Sequence, residues 1–458
     1  MHADDHPVPI DRFLNPFRDF AANKLAGAGL LLAATAVALV WANSPLAASY
    51  HALFEMPVNV SAGPLEIKKP LLHWINDGLM GFFFVVVGLE IKRELLAGHL
   101  RSARMAALPI AGALGGMLIP ALLYLALNPT APGGRGWGVP MATDIAFALG
   151  VLAVLGERVP VGLKVFLTAL AIIDDIGAII VIGLFYTESV GLVSLVAGGA
   201  LFALAIALNR VGMKSSVAYF VLGTLVWLAF LKSGVHATLA AVLMAFAIPA
   251  RRRVDGRSFE ERVQALLGRL RAVGLTGRAE LLTHEQHDVI SAMAVLLDDA
   301  TAPLQRLEHV LVPIVTFFVL PAFALANAGV SVGEGFFSAL LGEIALDVVV
   351  GLFVGKQAGI LGFSWAAVRL GVADLPAGVT WRQVHGVAIL GGIGFTMSLF
   401  VAALAFPAPA EQDLAKVGIL VGSLVSGVVG LAGLRGATPA PSASRGDDRA
   451  PNPSPADE

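Results

Sequence analysis

Two aspartates stand side by side in the middle of a long apolar run, Ala171-Ile172-Ile173-Asp174-Asp175-Ile176-Gly177. The run they interrupt, about 161–186, is long enough to span a bilayer. One ionised side chain at the bilayer centre costs at least ~2.5–3.5 kcal/mol. Two neighbouring carboxylates in a dry environment cannot both stay charged. Each must take a proton, pair with a base or coordinate a cation. Carboxylates also supply the hard oxygen ligands that a sodium ion takes, so Asp174 and Asp175 can hold protons or Na+, with the two in competition. That competition is the minimum that exchange of a cation against protons requires. The bland alternative is a structural pair held by hydrogen bonds, and the cost of burying two acids weighs against it.

Three further places carry chemistry inside apolar runs. In Pro140-Met141-Ala142-Thr143-Asp144-Ile145-Ala146, Pro140 removes an amide donor just after Gly133, Gly134, Gly136 and Gly138. A helix here is expected to be short or interrupted, with Thr143 and Asp144 offering a hydroxyl and a charge to the freed backbone. Helix capping by the same two residues is the plainer reading and is compatible with an ion site. In Gly391-Gly392-Ile393-Gly394-Phe395-Thr396-Met397-Ser398, three glycines in four residues, Gly392 and Gly394 among them, suggest a second broken helix, although close packing also favours glycine. Two interrupted helices in separate halves point to a transporter site. Lys356 lies deep in the run 344–368 and needs a partner; Asp174 is the first choice and Asp144 the second, unless the side chain snorkels to the interface.

Charged residues at span ends form a weaker group. Glu90, Lys92, Arg93 and Glu94 close one run, Glu308 and His309 open another, and His236 opens a third. Glu90, Arg93, Glu94, Glu308 and His309 are candidate pH-sensing residues, with ordinary solvated charge as the competing explanation. Asp298-Asp299 resembles the first acid pair but sits in a polar loop, where solvated carboxylates are expected.

The elements that must position these groups are membrane helices. The chain is 57% hydrophobic and 14% charged, against about 45–50% and about 25% in soluble domains. Runs near 24–43, 71–97, 105–127, 132–155, 161–186, 191–208, 215–231, 234–248, 306–328, 344–368, 383–406 and 412–436 give about twelve spans of an all-α polytopic membrane protein. Spans one to eight fill 24–248 and spans nine to twelve fill 306–436. With both ends in the cytoplasm and alternating loops, about 25 of the 31 Lys and Arg fall inside and 5 outside, the bias expected of the inner face. Nine of the inner set lie in the loop 249–305, where Val289, Met293, Leu296 and Leu297 mark an amphipathic helix over Gln286–Ala300.

Residues 1–23 read as a polar lead-in with Phe13, Leu14, Phe17 and Phe20, and without a cleavable-leader pattern, so the first hydrophobic helix is expected to stay. Within about 50–69, Pro57–Val60, the turn Ser61–Pro64 and Leu65–Ile67 suggest an extramembrane β-hairpin whose edge could pair with a second copy. The tail 437–458 has a disorder-prone composition. A chain without cysteine has no thiol chemistry, and no extended basic face suggests nucleic acid.

At its motifs the chain resembles the NhaA family of sodium/proton antiporters. The resemblance rests on Trp74–Gly78, Val87–Leu95, Ala142–Phe147, Ala171–Gly177, Leu231–Thr238, Leu307–His309, Ala326–Val330 and Gly392–Ser398, in one order from about 24 to 436. It implies two inverted three-helix repeats, 105–186 and 344–436, with broken helices crossing near the midplane; inverted repeats are a recognised property of this family. It further implies Asp175 and Asp174 as the cation- and proton-binding acids, Thr143 and Asp144 lining the site, and Lys356 paired with Asp174. By the same resemblance the protein is not an enzyme and needs no cofactor. It would sit in a bacterial inner membrane as a dimer, exporting Na+ or Li+ for H+ electrogenically and under pH control. Two departures stand out: the 249–305 loop looks longer than in compact members, and Val312 stands where relatives often have a second histidine.

Three rival readings compete. A sodium-coupled organic-anion symporter needs a polar substrate pocket that the sequence does not display. An intramembrane aspartyl protease needs its two acids on separate helices, one typically in a Gly-Asp pair. A passive channel fits poorly with Lys356 beside paired acids.

Overall fold

The computed structural model describes residues 24–62, 65–129, 133–187, 190–252, 254–274, 282–331, 333 and 336–437. The N-terminal lead-in, the tail residues beyond 437 for which disorder is expected, and the hairpin turn at 63–64 lie outside the described residues.

The chain opens with α1 (Lys24–Ala42) and a short helix α2 (Ala47–Glu55). Strands β1 (Pro57–Ala62) and β2 (Leu65–Pro70) pair antiparallel, with Val60 opposite Ile67 and Asn59 opposite Lys68. The strands expected within 50–69 begin at Pro57 and Leu65 as read but run further, and the stretch ahead of them is helical at 47–55. Next come α3 (Leu71–Ala97) and α4 (Ala103–Leu127). A tight 3-10 helix, Gly133–Met141, leads into α5 (Ile145–Leu155), and the bent pair is followed by α6 (Val161–Phe185). Then come α7 (Leu192–Val211), α8 (Ser216–Ser233) and α9 (Ala237–Ala247).

The 249–305 segment holds two helices where the sequence suggested one: α10 (Gly256–Val273) and α11 (His284–Ala300). Asp255 caps α10 through Ser258 N, and Thr283 with Gln286 forms a capping box on α11. The α10 stripe Phe259, Val263, Leu266 and Leu270 is diluted by arginines, which hid it from a reading based on apolar runs. The membrane part resumes at α12 (Pro303–Asn327), followed by a single turn α13 (Phe336–Leu340) and α14 (Glu343–Arg369). A second bent pair, α15 (Trp381–Leu390) and α16 (Phe395–Ala405), precedes α17 (Pro409–Ala437).

Among the described residues nine helices are long and apolar enough to cross a bilayer, and the bent pairs, at 41° and 46°, bring the number to eleven. The span expected at 234–248 is the shorter apolar helix α9, whose 11 residues reach only about half of a hydrocarbon core at ~1.5 Å per residue. Two groups repeat one order, a long span, a bent pair and a long span: α4 to α6 and α14 to α17. A separate apolar cluster, with Leu89, Tyr219, Val226, Phe230 and Met244, binds α3, α7, α8 and α9 to one another.

The two repeats meet most closely where α4 crosses α14. A Cβ on Gly359 would lie 2.0 Å from the Gly115 carbonyl oxygen, and one on Gly115 would lie 2.1 Å from that of Gly359. Neither helix can retreat without unpacking the site described below. Gly362, one turn further along α14, has nothing within 4 Å of its would-be Cβ. Gly359→Ala should therefore cost about 1–3 kcal/mol or more by overpacking, seen as a lower melting temperature in detergent, while Gly362→Ala is neutral or slightly stabilising. Equal melting temperatures for the two variants would refute the close crossing.

Candidate functional site

Asp144 occupies the break in the first bent pair and is the N-cap of α5, its Oδ1 accepting from Phe147 N at 2.9 Å. Its other oxygen, Oδ2, accepts from Thr396 N at 3.0 Å and also from the Thr396 hydroxyl, in the first turn of α16. One carboxylate thus bridges two helix N-termini that begin in the middle of the bundle. Each terminus carries roughly half a positive charge, so the pair offsets Asp144 without a cation. The breaks are laced together by main-chain groups as well. Asp144 N donates to Ile393 O at 2.6 Å, and Ser398 Oγ donates to Val139 O at 2.7 Å.

The glycines of the second break are there for proximity. Gly391 and Gly394 have ordinary negative φ, −58° and −90°. A Cβ on Gly392 would come within 2.3 Å of Leu352 O, and one on Gly394 within 2.1 Å of Ser398 Oγ. Pro140 lies in the 3-10 segment ahead of the other break and is buried.

Next to the crossing stands the charged pair. Asp174, Asp175 and Lys356 are buried, with Lys356 at 0% exposure. Lys356 Nζ donates to Asp174 Oδ2 at 2.5 Å and to Thr143 Oγ1 at 2.9 Å. The Thr143 hydroxyl proton has two acceptors in reach, Asp174 Oδ2 at 2.6 Å and Gly391 O at 2.8 Å. Asp174, Lys356, Thr143 and the end of α15 thus form one network, while Asp144 bonds α16. Asp174 Oδ1 and Asp175 Oδ1 are buried without a hydrogen-bond partner among the described residues. Unspent carboxylate oxygens on two consecutive buried residues are what a proton or a small hard cation would fill.

At the end of α3, Arg93 gathers three acids. It lies 3.5 Å from Glu90, 3.6 Å from Glu94, and makes a close ion pair with Glu308 of α12. Lys92 donates to the carbonyls of Phe246, at 2.6 Å, and Ile248. His309 is exposed and is not among the groups gathered on Arg93. His236 donates to Tyr186 O at 2.9 Å. Asp298 and Asp299 are not merely solvated: Asp298 pairs with Arg306, and Asp299 lies 3.4 Å from Lys214.

Three polar contacts escaped the sequence reading. Thr396 was visible only as part of a glycine-rich motif. Asn76 and Asn327, both in motifs, exchange amide hydrogen bonds at 3.3 and 2.8 Å. Asp347, near the start of α14, is buried and accepts from Asn128 at the end of α4. Asp347 lies inside the expected span 344–368, so the cost of burying its charge is a sequence signal of the same kind as that of Asp174.

Two broken helices crossing at buried, opposed charges inside repeated helix triplets define a secondary transporter. Residues 18–434 match the sequence profile of the family described as Na+/H+ antiporter 1. The chain is 50% identical to a Na+/H+ antiporter NhaA of Oleidesulfovibrio alaskensis, over 93% of this chain and 94% of that protein. It is 45% identical to NhaA 1 of Saccharophagus degradans, again over 93% and 94%, and 47% identical to the NhaA of Rhodospirillum rubrum, over 90% and 94%. The chain belongs to the NhaA family of Na+/H+ antiporters, and so is a multi-pass membrane transporter rather than an enzyme.

The buried ion pair makes a direct prediction. Lys356→Met leaves the Asp174 carboxylate buried without its cation, a loss of about 3–5 kcal/mol, and adding Asp174→Asn should recover much of it. Thermal unfolding of the two single variants and the double one, forming a double-mutant cycle, measures the coupling; strictly additive losses would show that the pair is not coupled.

Proposed function

We propose that this chain exchanges cytoplasmic Na+ or Li+ for external H+ at Asp174 and Asp175, by alternating access and with net charge movement. The observation that carries the site assignment is the pair of buried, unpartnered Oδ1 atoms on adjacent aspartates. Charge balance supports it. Of the three acids at the crossing, Asp144 is offset by two helix N-termini and Asp174 by Lys356, which leaves Asp175 without a fixed compensating charge among the described residues. A proton or a sodium ion neutralises it, and both cannot do so together. A cation drawn to both carboxylates competes with Lys356 for Asp174, so arrival of the metal loosens the ammonium and Thr143 from that oxygen. Two acids allow up to two protons per cation, hence charge movement. Sodium and protons are the transported substrates, and no cofactor is required. Asp144 keeps its role as the bridge between half-helices.

In this reading Glu90, Arg93, Glu94 and Glu308, joining α3 to α12, adjust activity to pH from the cytoplasmic face, with His309 exposed beside them. The arginine distribution supports a plasma-membrane orientation with both chain ends in the cytoplasm.

In proteoliposomes loaded with acid, added sodium should collapse the pH gradient with the native protein and with Asp374→Asn, an exposed acid that pairs with exposed Arg104. Asp175→Asn should give no collapse; wild-type exchange by that variant would sink the assignment. Run as a pH series, the same assay should show Glu308→Gln moving the activity profile while leaving sodium dependence at its peak unchanged. A profile superimposable on that of the native protein would remove the regulatory role.

We infer a homodimer through the hairpin. A two-stranded sheet leaves the outer edge of each strand open to pairing, and Val60 is 49% exposed on β1. Deleting 57–70 should convert the detergent-solubilised protein from dimer to monomer by light scattering; an unchanged mass refutes that contact.

A further inference from the structure

The segment between α9 and α12 is a closed excursion. Leu304 N donates to Pro249 O at 3.1 Å, so its two ends meet beside the ends of two membrane helices. Its two arms differ in charge. Helix α11 carries Glu285, Asp288, Asp298 and Asp299 and no Lys or Arg; α10 carries Arg257, Arg262, Arg269 and Arg271 against Glu260 and Glu261. The acidic arm spends its last turn within the protein, since Asp298 meets Arg306 at the start of α12 and Asp299 meets Lys214 between α7 and α8. Those contacts hold the excursion against the rim of the membrane body.

The basic arm has no such use. The four arginines of α10, with Arg251 and Arg252 before it, are exposed, and none of the six makes an ion pair among the described residues. Arg262 and Arg269, two turns apart, flank a groove of about 340 Å³ between α10 and α11. Its floor is apolar, with Ala265, Leu266, Ala292 and Leu296, and Asp299, whose charge is met by Lys214, also lines it. Apolar side chains also stand open beside the charges: Leu267 is 41%, Val295 61% and Leu297 58% exposed.

We propose that the groove and the basic edge of α10 bind anionic phospholipid of the adjoining leaflet. Guanidinium groups pair with phosphate in a fork geometry, and the apolar floor takes the acyl-chain end of the headgroup region. An acidic peptide would match the charges, but interleaved apolar surface on an excursion whose two ends meet beside membrane helices matches a lipid better. Basic residues beside a spanning helix are drawn to an anionic surface, with an effect that fades within the ~8–10 Å screening length of physiological salt. The acidic arm grips the protein and the basic arm grips the bilayer, so the excursion straps one to the other.

The chain has no cysteine, so Leu267→Cys accepts one environment-sensitive fluorophore without background. The labelled full-length protein is compared in nanodiscs of phosphatidylcholine and of mixed phosphatidylcholine and phosphatidylglycerol. The anionic discs should give blue-shifted emission and several-fold weaker quenching by acrylamide, both reversed by high salt. Adding Arg262→Gln, Arg269→Gln and Arg271→Gln should abolish the shift while the melting temperature in neutral discs stays the same. Identical emission in the two discs overturns the proposal, as does a shift that survives the triple variant, or one reproduced by inorganic phosphate in neutral discs.

Discussion

A helix that stops inside a bilayer leaves main-chain groups with no water to bond, and this chain stops two of them there. The fold depends on how those ends are satisfied. Hydrocarbon offers no partners, so the two breaks must supply each other. Asp144 N bonds Ile393 O, Thr143 reaches Gly391 O, Ser398 reaches Val139 O, and the Asp144 carboxylate serves the first turns of both α5 and α16. Remove either break and the other is left with buried, unpaired amides. The symmetry of the two helix triplets is therefore an energetic requirement, because each provides what its counterpart lacks. The glycines make this possible through closeness, admitting Leu352 and Ser398 where a methyl group would collide.

The same logic explains how Lys356 reaches the site. Asp347 and Lys356 lie nine residues apart on α14, which in a regular helix puts them about 180° apart. Yet both face the neighbouring α4, Asp347 through Asn128 and Lys356 near Gly116. Between them, Gly351–Gly355 forms a π turn. The additional residue in such a turn offsets everything after it relative to an α-helix, swinging Lys356 toward Thr143 and Asp174. The lysine can afford 0% exposure only because both partners are already fixed, one in a helix and one in a break held by its own lacing.

Much of this was legible in the sequence because buried charge is so costly in lipid. Asp144, Asp174, Asp175 and Lys356 identified themselves as polar letters in apolar runs, and Pro140 with the glycines before it marked a break. Spacing could not show which acid Lys356 meets, since the answer turns on the π turn, and nothing in Gly351-Leu352-Phe353-Val354-Gly355 distinguishes it from an ordinary α-helical stretch. Thr396 was hidden for a different reason. Its value lies in a bond to a residue 252 positions away, visible only once the breaks cross. The helix α10 was missed because its apolar stripe belongs to an extramembrane hairpin and is too interrupted for a span. Solvation is the expectation for Asp298 and Asp299 because sequence does not reveal that Arg306 and Lys214 come within reach of them.

The distribution of bond types also limits how the site could be opened to opposite sides. The crossing is held by short, directional hydrogen bonds, and breaking them in lipid without replacement is prohibitive. Contacts between the crossing and the helices outside the two repeats are of another kind. Phe400 of α16 meets Phe84 of α3 at a ring distance of 5.2 Å and Phe323 of α12 at 6.4 Å. Aromatic and aliphatic surfaces can slide with little change in energy so long as they stay covered, because dispersion and burial have no fixed direction. Two directional ties reach α12 from α3, the ion pair of Arg93 with Glu308 and the exchanged amide bonds of Asn76 with Asn327, and both lie outside the crossing, toward opposite ends of the two helices. Movement of the repeats as a unit against α3 and α12 would keep the costly bonds intact and draw on the cheap ones. In the exchange proposed above, a change in charge at Asp174 and Asp175, beside the crossing, would bias it.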